Sequence, residues 1–363
     1  VSQTLILPRP LIISGPCSAE SETQVMETAR LLKASGQVHL FRAGLWKPRT
    51  RPGSFSGVGE EGLPWLQKVT QETGLPVCTE VALPLHVEQC LRHGITTFWI
   101  GARTVSNPFS VQELAEALAG THVCVMIKNP LHPDFDLWTG AIERFQKAGL
   151  HNLVAIHRGF YPFEKSGMRN TPKWELAIDM KSRFPELPLI CDISHLAGNR
   201  TNLQPVAQKA LDLEMDGLMI ECHINPSLAL SDARQQITPE ELNNLLHNLT
   251  FRDDTTPAPE RHQKLEMLRN QVDSIDEQII DLMSGRMKLI ETIGTYKKEH
   301  NIAILQVKRW NEIIASRTRQ ARKGGLSAAF LEKVLKAIHQ ESIRKQSLIY
   351  KKRQDTRDKT QEK

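Results

Sequence analysis

Absences narrow the reading of this chain of 363 residues before any motif does. No apolar run approaches the roughly 20 residues that cross a bilayer. The opening VSQTLILPRP lacks a secretory apolar segment. Neither a membrane partner nor export is therefore expected, and a cytoplasmic location follows. No two cysteines form a C-x-x-C pair. Several of the six (Cys17, Cys78, Cys90, Cys124, Cys191, Cys222) sit inside apolar runs, so reduced thiols fit better than a disulfide framework. Aromatic residues make up only 6%, with no zinc-finger, RRM or helix-turn-helix pattern, so the net charge of +5 points to small anionic ligands rather than nucleic acid.

What is present changes character near Glu260. From there onward 23 Lys and Arg face 14 Asp and Glu, a net +9; before it 23 face 27, a net −4. In the first part, β-branched apolar runs recur at Leu11–Gly15, Val38–Gly44, Pro76–Thr79, Thr97–Gly101, Val123–Ile127, Leu153–Ile156, Leu187–Cys191 and Gly217–Ile220. Segments of helical periodicity lie between most of them: Glu22–Ala34, Leu63–Thr73, Leu85–His93, Val111–Ala119, Leu137–Ala148 and Pro205–Leu213. Continuous apolar strands alternating with amphipathic helices imply a parallel sheet covered by helices. Eight such units predict an α/β fold, a (β/α)8 TIM barrel over residues 1–250. A doubly wound open sheet is the runner-up, but no G-x-G-x-x-G follows the first strand.

Each predicted strand is followed by a polar or reactive group: Cys17, Lys47, Glu80, Arg103, Lys128, Arg158, Asp192 with His195, and Glu221. That is the rim where such barrels keep their active sites. Arg42, Lys47, Arg103, Lys128 and Arg158 form a cationic set, which suits phosphates and carboxylates. Cys17, His195, Glu221 and Asp232 form a mixed S/N/O set suited to a divalent transition metal. Singly, each has a plainer reading: a buried small thiol, a loop imidazole, a helix N-cap at Asp232. His223, two residues past Glu221, is a spare ligand candidate. The Pro- and Gly-punctuated stretch FRAGLWKPRTRPGSFSG from Phe41 concentrates cations on a loop, with a solvated surface loop as its plain alternative.

The motifs GPCSAES, KPRT, TE, GART, IKNP, HRGF, CDISH and ALSDARQQ, in this order, closely resemble 3-deoxy-D-arabino-heptulosonate-7-phosphate (DAHP) synthase of the compact subfamily. The resemblance implies condensation of phosphoenolpyruvate with erythrose 4-phosphate, with loss of phosphate. It implies that Cys17, His195, Glu221 and Asp232 hold a metal such as Mn²⁺. Arg42 and Lys47 would meet the phosphoenolpyruvate carboxylate, and Arg103, Lys128 and Arg158 its phosphate. Glu80 would orient these groups, and Arg49, Thr50 and Ser54 would take the aldose phosphate. Arg51 departs from the small residue expected in that motif. Two rival readings fit less well. A Schiff-base aldolase needs a neutral, desolvated lysine, whereas Lys47 and Lys128 stand among arginines. The sister 3-deoxy-octulosonate-8-phosphate synthase also uses phosphoenolpyruvate, but KPRT favours the four-carbon aldose. Only about ten residues precede the first strand, so feedback control is expected from elsewhere in the chain.

Thr238–Leu249 reads as a last barrel helix, capped by Thr238 with Pro239 at its first position. Residues 251–259, FRDDTTPAP, read as a linker. Beyond them, Leu265, Leu268, Val272, Ile275, Ile279, Leu282, Leu289, Ile290 and Ile293 predict one long amphipathic helix reaching toward Lys298. Lys308–Arg319 and Ala328–Ile349 predict two more, giving an all-α domain over 260–350 and a polar tail over 351–363. One helix of that length cannot bury its stripe alone, so an intertwined dimer, a homodimer or higher assembly, is expected. Arg286 and Lys297 fall about 16 Å apart on one face, close enough to grip two ends of one small dianion. Arg269 lies about 25 Å from Arg286, which suits reaching into a partner's site.

The run LEMLRNQVDSIDEQIIDLMSGRMKLIETIGTYKKEH, with QESIRKQ further on, resembles the all-helical chorismate mutase family. The resemblance implies rearrangement of chorismate to prephenate. Arg286, and Arg269 from a partner, would bind carboxylates; Lys297 and Gln346 would contact the ether oxygen; Arg309 and Ser342 would line the pocket. Trp310 and Gln306 stand where the family usually has acids. The expectation is a bifunctional enzyme whose helical domain also regulates the barrel through bound chorismate or prephenate. The alternative is a synthase whose helical domain is a catalytically silent sensing and dimerisation module.

Overall fold

The computed structural model describes residues 8–48, 53–162, 167–251 and 259–351, with side chains in the last span from 264 onward. The chain divides into two compact units, Val1–Asp253 and Asp254–Lys363. In the first, eight strands close into a barrel in sequence order, every neighbouring pair parallel. They are β1 (Leu11–Gly15), β2 (Leu40–Arg42), β3 (Val77–Val81), β4 (Thr97–Ile100), β5 (Cys124–Lys128), β6 (Leu153–His157), β7 (Leu189–Asp192) and β8 (Gly217–Glu221). β1 closes on β8 in a five-residue register running from Leu11 opposite Gly217 to Gly15 opposite Glu221.

The connecting helices are α1 (Glu22–Ser35), α2 (Leu63–Thr73), α3 (Pro84–Arg92), α4 (Ala102–Val105), α5 (Pro108–Leu118), α6 (Phe135–Lys147), α7 (Trp174–Arg183), α8 (Ile193–Ala197), α9 (Leu203–Asp212) and α10 (Pro239–His247). Thr238 does cap α10, in a reciprocal capping box with Glu241. Helix α7 gave no start signal in the sequence for a physical reason. It begins from Lys173 at φ 47° with no side-chain cap. The second strand is shorter than its apolar run, because beyond Arg42 pairing continues only as an isolated bridge between Gly44 and Ser18.

Two cores follow from the period of two along each strand. Ile12, Phe41, Phe98, Val125, Ile127, Leu218 and their neighbours face the helices. Leu11, Ile13, Leu40, Cys78, Trp99, Met126, Val154, Ile156, Ile190 and Met219 fill the barrel interior. The next inward position after Leu40 is Arg42; after Cys78, Glu80; after Met126, Lys128; after Ile156, Arg158; after Ile190, Asp192; after Met219, Glu221. The pleat therefore aims these six polar groups at one mouth, directly above the apolar plug.

The second unit consists, among the described residues, of α11 (Pro259–Glu299), α12 (Val307–Lys323) and α13 (Ala328–Lys351). Along α11 a row of apolar side chains stays exposed: Leu265 41%, Leu268 49%, Val272 55%, Ile275 55%, Ile279 46% and Leu282 74%. No helix among the described residues is long and apolar enough to cross a membrane.

Candidate active sites

At the barrel mouth, ligand atoms of Cys17, Glu221 and Asp232 lie within 4.8 Å of one another. The Cys17 thiol donates to Asp232 Oδ2 at 3.4 Å and receives Lys47 Nζ at 3.2 Å. His195, on α8, stands at the edge of this group. Its Nδ1 is 3.0 Å from Asp192 Oδ2 and 3.6 Å from Glu221 Oε1, and its Nε2 is 3.9 Å from Asp232 Oδ2. Asp192 thus holds the proton side of the ring and leaves Nε2 to face the group. His223, the spare candidate, does not join. Its Nδ1 accepts from the Asn225 backbone and its Nε2 lies 3.5 Å from Glu20.

The cations occupy the same mouth. Arg42 is fully buried, 3.3 Å from Glu221 and over the Trp99 ring at 4.7 Å. Lys128 bonds Asp192 at 2.7 Å and also lies over Trp99. Arg158 donates to Asn170 Oδ1 at 3.2 Å. Arg103 follows β4 closely in the chain and is exposed on α4. Glu80 is pinned by Trp99 Nε1 at 3.0 Å. Glycine makes room beside two of these groups. A Cβ on Gly101 would stand 2.1 Å from Glu80 Oε1 and displace that carboxylate, and one on Gly44 would stand 2.8 Å from the Cys17 backbone carbonyl. The loop carrying Lys47 is held by Trp46, whose ring stacks on His86 at 4.1 Å. Ser54 is exposed, while Arg49 and Thr50 lie outside the described residues.

Burial pushes the Cys17 thiol up to about 12, with Glu221 adding to the effect. Burial also opposes ionisation of Asp192, Glu221 and Asp232, yet all three carboxyls are held below their usual range. His195 contributes to that electrostatically, but its own pKa is lowered, chiefly by burial. A neutral ring lends no full charge, so near pH 7 the carboxylates are held ionised mainly by Lys128, Arg42, Arg169 and Lys47. Burial likewise pulls Arg158 down to about 10, against the opposing pull of Asp192.

The donor set fits a divalent transition metal. One oxygen of Glu221 is buried without a hydrogen bond, and a thiol, an imidazole and two ionised carboxylates converge. Nε and one terminal nitrogen of Arg42 are likewise unpartnered, leaving donors for an anion. Sequence reasoning assigned no role to Trp99, Asp192, Arg169 or Gln235. Arg169 bonds Asp232 at 2.9 Å and Gln235 at 2.7 Å, and Gln235 donates to Glu221 at 2.7 Å. Gln235 belongs to the ARQQ motif, so a signal existed; nothing local marked Arg169.

In the helical unit, Arg286 donates to Ser342 Oγ at 2.7 Å. Gln346 follows one turn later on α13, buried, with its Oε1 unpartnered. Lys297 Nζ is bound to the Ile304 carbonyl at 2.7 Å. Arg309 pairs with Glu312 at 3.4 Å, and Arg269 with Glu266 at 2.6 Å. A cavity of about 480 Å³ is lined by Arg286, Arg309, Arg317, Gln320, Leu331 and Leu335 among others. Arg286, Ser342 and Gln346 are therefore brought together, while Arg269 stands in its own surface pair.

A closed parallel barrel whose C-terminal mouth gathers a metal-type donor set and buried cations has the build of a barrel enzyme with an anion-binding mouth. Comparison with known proteins makes this particular. The description "DAHP synthetase I family" matches residues 8–256, and "Chorismate mutase type II" matches residues 268–347. A phospho-2-dehydro-3-deoxyheptonate aldolase of Thermotoga maritima is 30% identical over 238 residues, covering 66% of this chain and 68% of its own. A 2-dehydro-3-deoxyphosphooctonate aldolase of Nitratidesulfovibrio vulgaris is 28% identical over 268 residues, covering 67% and 91%. The crystal structure of the Thermotoga maritima DAHP synthase superposes with a TM-score of 0.59 at 29% identity, covering 65% of this chain and 67% of that one. The chain belongs to the DAHP synthetase I family. It joins a DAHP synthase domain to a chorismate mutase type II domain, and both are enzymes.

Proposed function

We propose that the barrel condenses phosphoenolpyruvate with erythrose 4-phosphate and that the helical unit rearranges chorismate to prephenate, in a cytoplasmic chain that dimerises through its helices. The observation carrying the first reading is the pair of Arg42 nitrogens without a hydrogen bond, at a donor set in which Glu221 Oε1 accepts none and Lys47 reaches Cys17. Arg42 and Lys47 take the carboxylate; Arg103, Lys128 and Arg158 take the phosphate; Arg49, Thr50 and Ser54 take the aldose phosphate. Cys17, His195, Glu221 and Asp232 hold the metal, with Mn²⁺ the candidate. When bound, the metal supplies Lewis acidity at the aldehyde oxygen. The enol carbon joins the aldehyde carbon as its C=O opens and the oxygen takes up a proton. Water adds at the carboxylate-bearing carbon and gives up a proton. The bond from that carbon to the phosphate oxygen breaks, phosphate leaving toward Arg103, Lys128 and Arg158. These cations are fixed before reaction, so they stabilise the developing charge without reorganising.

In the helical unit no nucleophile is needed. Arg286 and Arg269, the latter from a second copy, grip the carboxylates, Lys297 and Gln346 meet the ether oxygen, and Arg309 and Ser342 line the pocket. The exposed apolar row along α11 supports the dimer. The test is turnover of both reactions by the full chain, with and without a chelator. Chelation should abolish the synthase rate, Mn²⁺ should restore it, and the mutase rate should not move. A synthase rate indifferent to chelation sinks the metal reading; absent mutase turnover leaves the helices a silent module. Prephenate added to the synthase assay should change its rate if the helices regulate the barrel, and an unchanged rate at saturation removes that coupling.

A further inference from the structure

We infer that His339 is a substrate-binding residue of the mutase site, its Nε2 accepting a hydrogen bond from the hydroxyl of the bound dianion. The inference rests on the helical unit being a mutase. No sequence motif points to this ring; its surroundings do. Nε2 is buried and has no hydrogen-bond partner. The ring is stacked on Trp310, centroids 4.0 Å apart and planes 18° from parallel, so packing on its face orients its edge.

His339 stands on α13 four residues past Leu335, which lines the 480 Å³ cavity together with Arg286 and Arg309. It comes three residues before Ser342, the hydroxyl that receives Arg286. Spacings of three and four put all three on one helix face. Gln346, a turn further, carries the other unpartnered buried atom of this face, its Oε1. Gln346 Oε1 accepts, as does an unprotonated imidazole nitrogen, so beside two cations the face calls for an anionic ligand that also carries a hydrogen-bond donor.

The polarity of the contact follows from charge. Burial, then Arg286 and Lys297, lower the pKa of His339, so the ring is neutral and both cations are within electrostatic reach. A neutral imidazole beside cations turns its lone pair toward them, not its N–H. Chorismate offers two carboxylates, an ether and a single hydroxyl, and only the hydroxyl donates. Trp310, in the place of an acid, has an indole N–H and cannot accept. The imidazole stacked on it can.

The experiment measures chorismate turnover by the full chain as wild type, His339→Phe and His339→Gln. Phe keeps the stack and removes the nitrogen; Gln returns an amide acceptor near its position. The expected result is a fall of about tenfold in kcat/KM for Phe, the contribution of one neutral hydrogen bond, with most of it recovered by Gln. Wild-type kcat/KM in the Phe variant overturns the inference. So does an equal loss in both variants when both melt like wild type. Where the Phe variant melts early, nitrogen NMR of histidine-labelled wild type decides. A His339 Nε2 resonance that moves on saturation with prephenate supports the contact, and an unmoved one overturns it. A wild-type chain that binds prephenate but turns over no chorismate sinks the mutase reading, and the NMR arm still judges the contact.

Discussion

The two units put their candidate chemistry in opposite surroundings. At the barrel mouth Arg42 and Glu221 expose 1% and 0% of their side chains, and Lys128 and Asp192 expose 5% and 0%. In the helical unit Arg269 and Arg309 expose 60% and 68%, and among the described residues each forms an ion pair with a neighbour on its own helix. A closed sheet delivers groups from every side and desolvates them without help. Three helices offer one face and leave the α11 stripe bare, so a finished site there calls for a second surface. Charge at the mouth is consequently part of what holds the barrel together, whereas charge on the helices is available to a ligand with little effect on the fold.

The largest effect should come from Arg42→Met. It removes the buried arginine 3.3 Å from Glu221, and breaking a buried pair in this way typically costs about 3–5 kcal/mol of stability; it should also abolish synthase turnover. Denaturant unfolding of the full chain followed on the barrel transition checks this, and wild-type stability in the variant would break the contrast. Next, Arg286→Ala should lower mutase kcat/KM by about 100-fold, the scale of one charge-assisted hydrogen bond to substrate. Its melting should hardly move, because Ser342 also bonds the Ile338 carbonyl and is not orphaned. An early-melting Arg286→Ala would mean that the helical site, too, is structural.

The effect that is smallest at pH 7 concerns His157, and it grows as pH falls. His157 is buried among Trp138, Phe160 and Trp174, and burial pushes its pKa down to about 3 from 6.5. Between these values the unfolded chain takes up a proton that the folded barrel refuses. The neutral ring therefore leaves stability intact above about pH 6.5, and stability falls as pH drops toward 3, by up to about 1.4 kcal/mol per unit. His157→Phe should flatten that part of the profile. Unfolding midpoints measured from pH 7 to pH 4 test it; equal slopes in the two proteins would remove His157 as the cause.

Much of the fold was legible because both periods were clean. All eight apolar runs became strands, and Leu63–Thr73 became α2 with the same limits. The six inward groups were readable as strand ends, since a pleat repeats every two residues whatever surrounds it. Helix α7 was not legible, for it starts without a cap. Neither were the partners of the site residues. Trp99 looked like one more apolar strand residue until closure put it beneath Arg42 and Lys128. Arg169 lay in a loop with no periodic signal, 63 residues before the Asp232 it bonds.

The amino-acid order by itself determined the alternation of strands and helices, the inward face of each strand, and which residues end it, because these depend on local spacing. Only the tertiary structure decided which ends meet. Barrel closure set Cys17 against Asp232 and Arg42 against Glu221 and turned His223 away to Glu20; helix packing left His339 with an unpaired nitrogen on Trp310. Those distances depend on how whole elements pack, and local spacing carries no information about that.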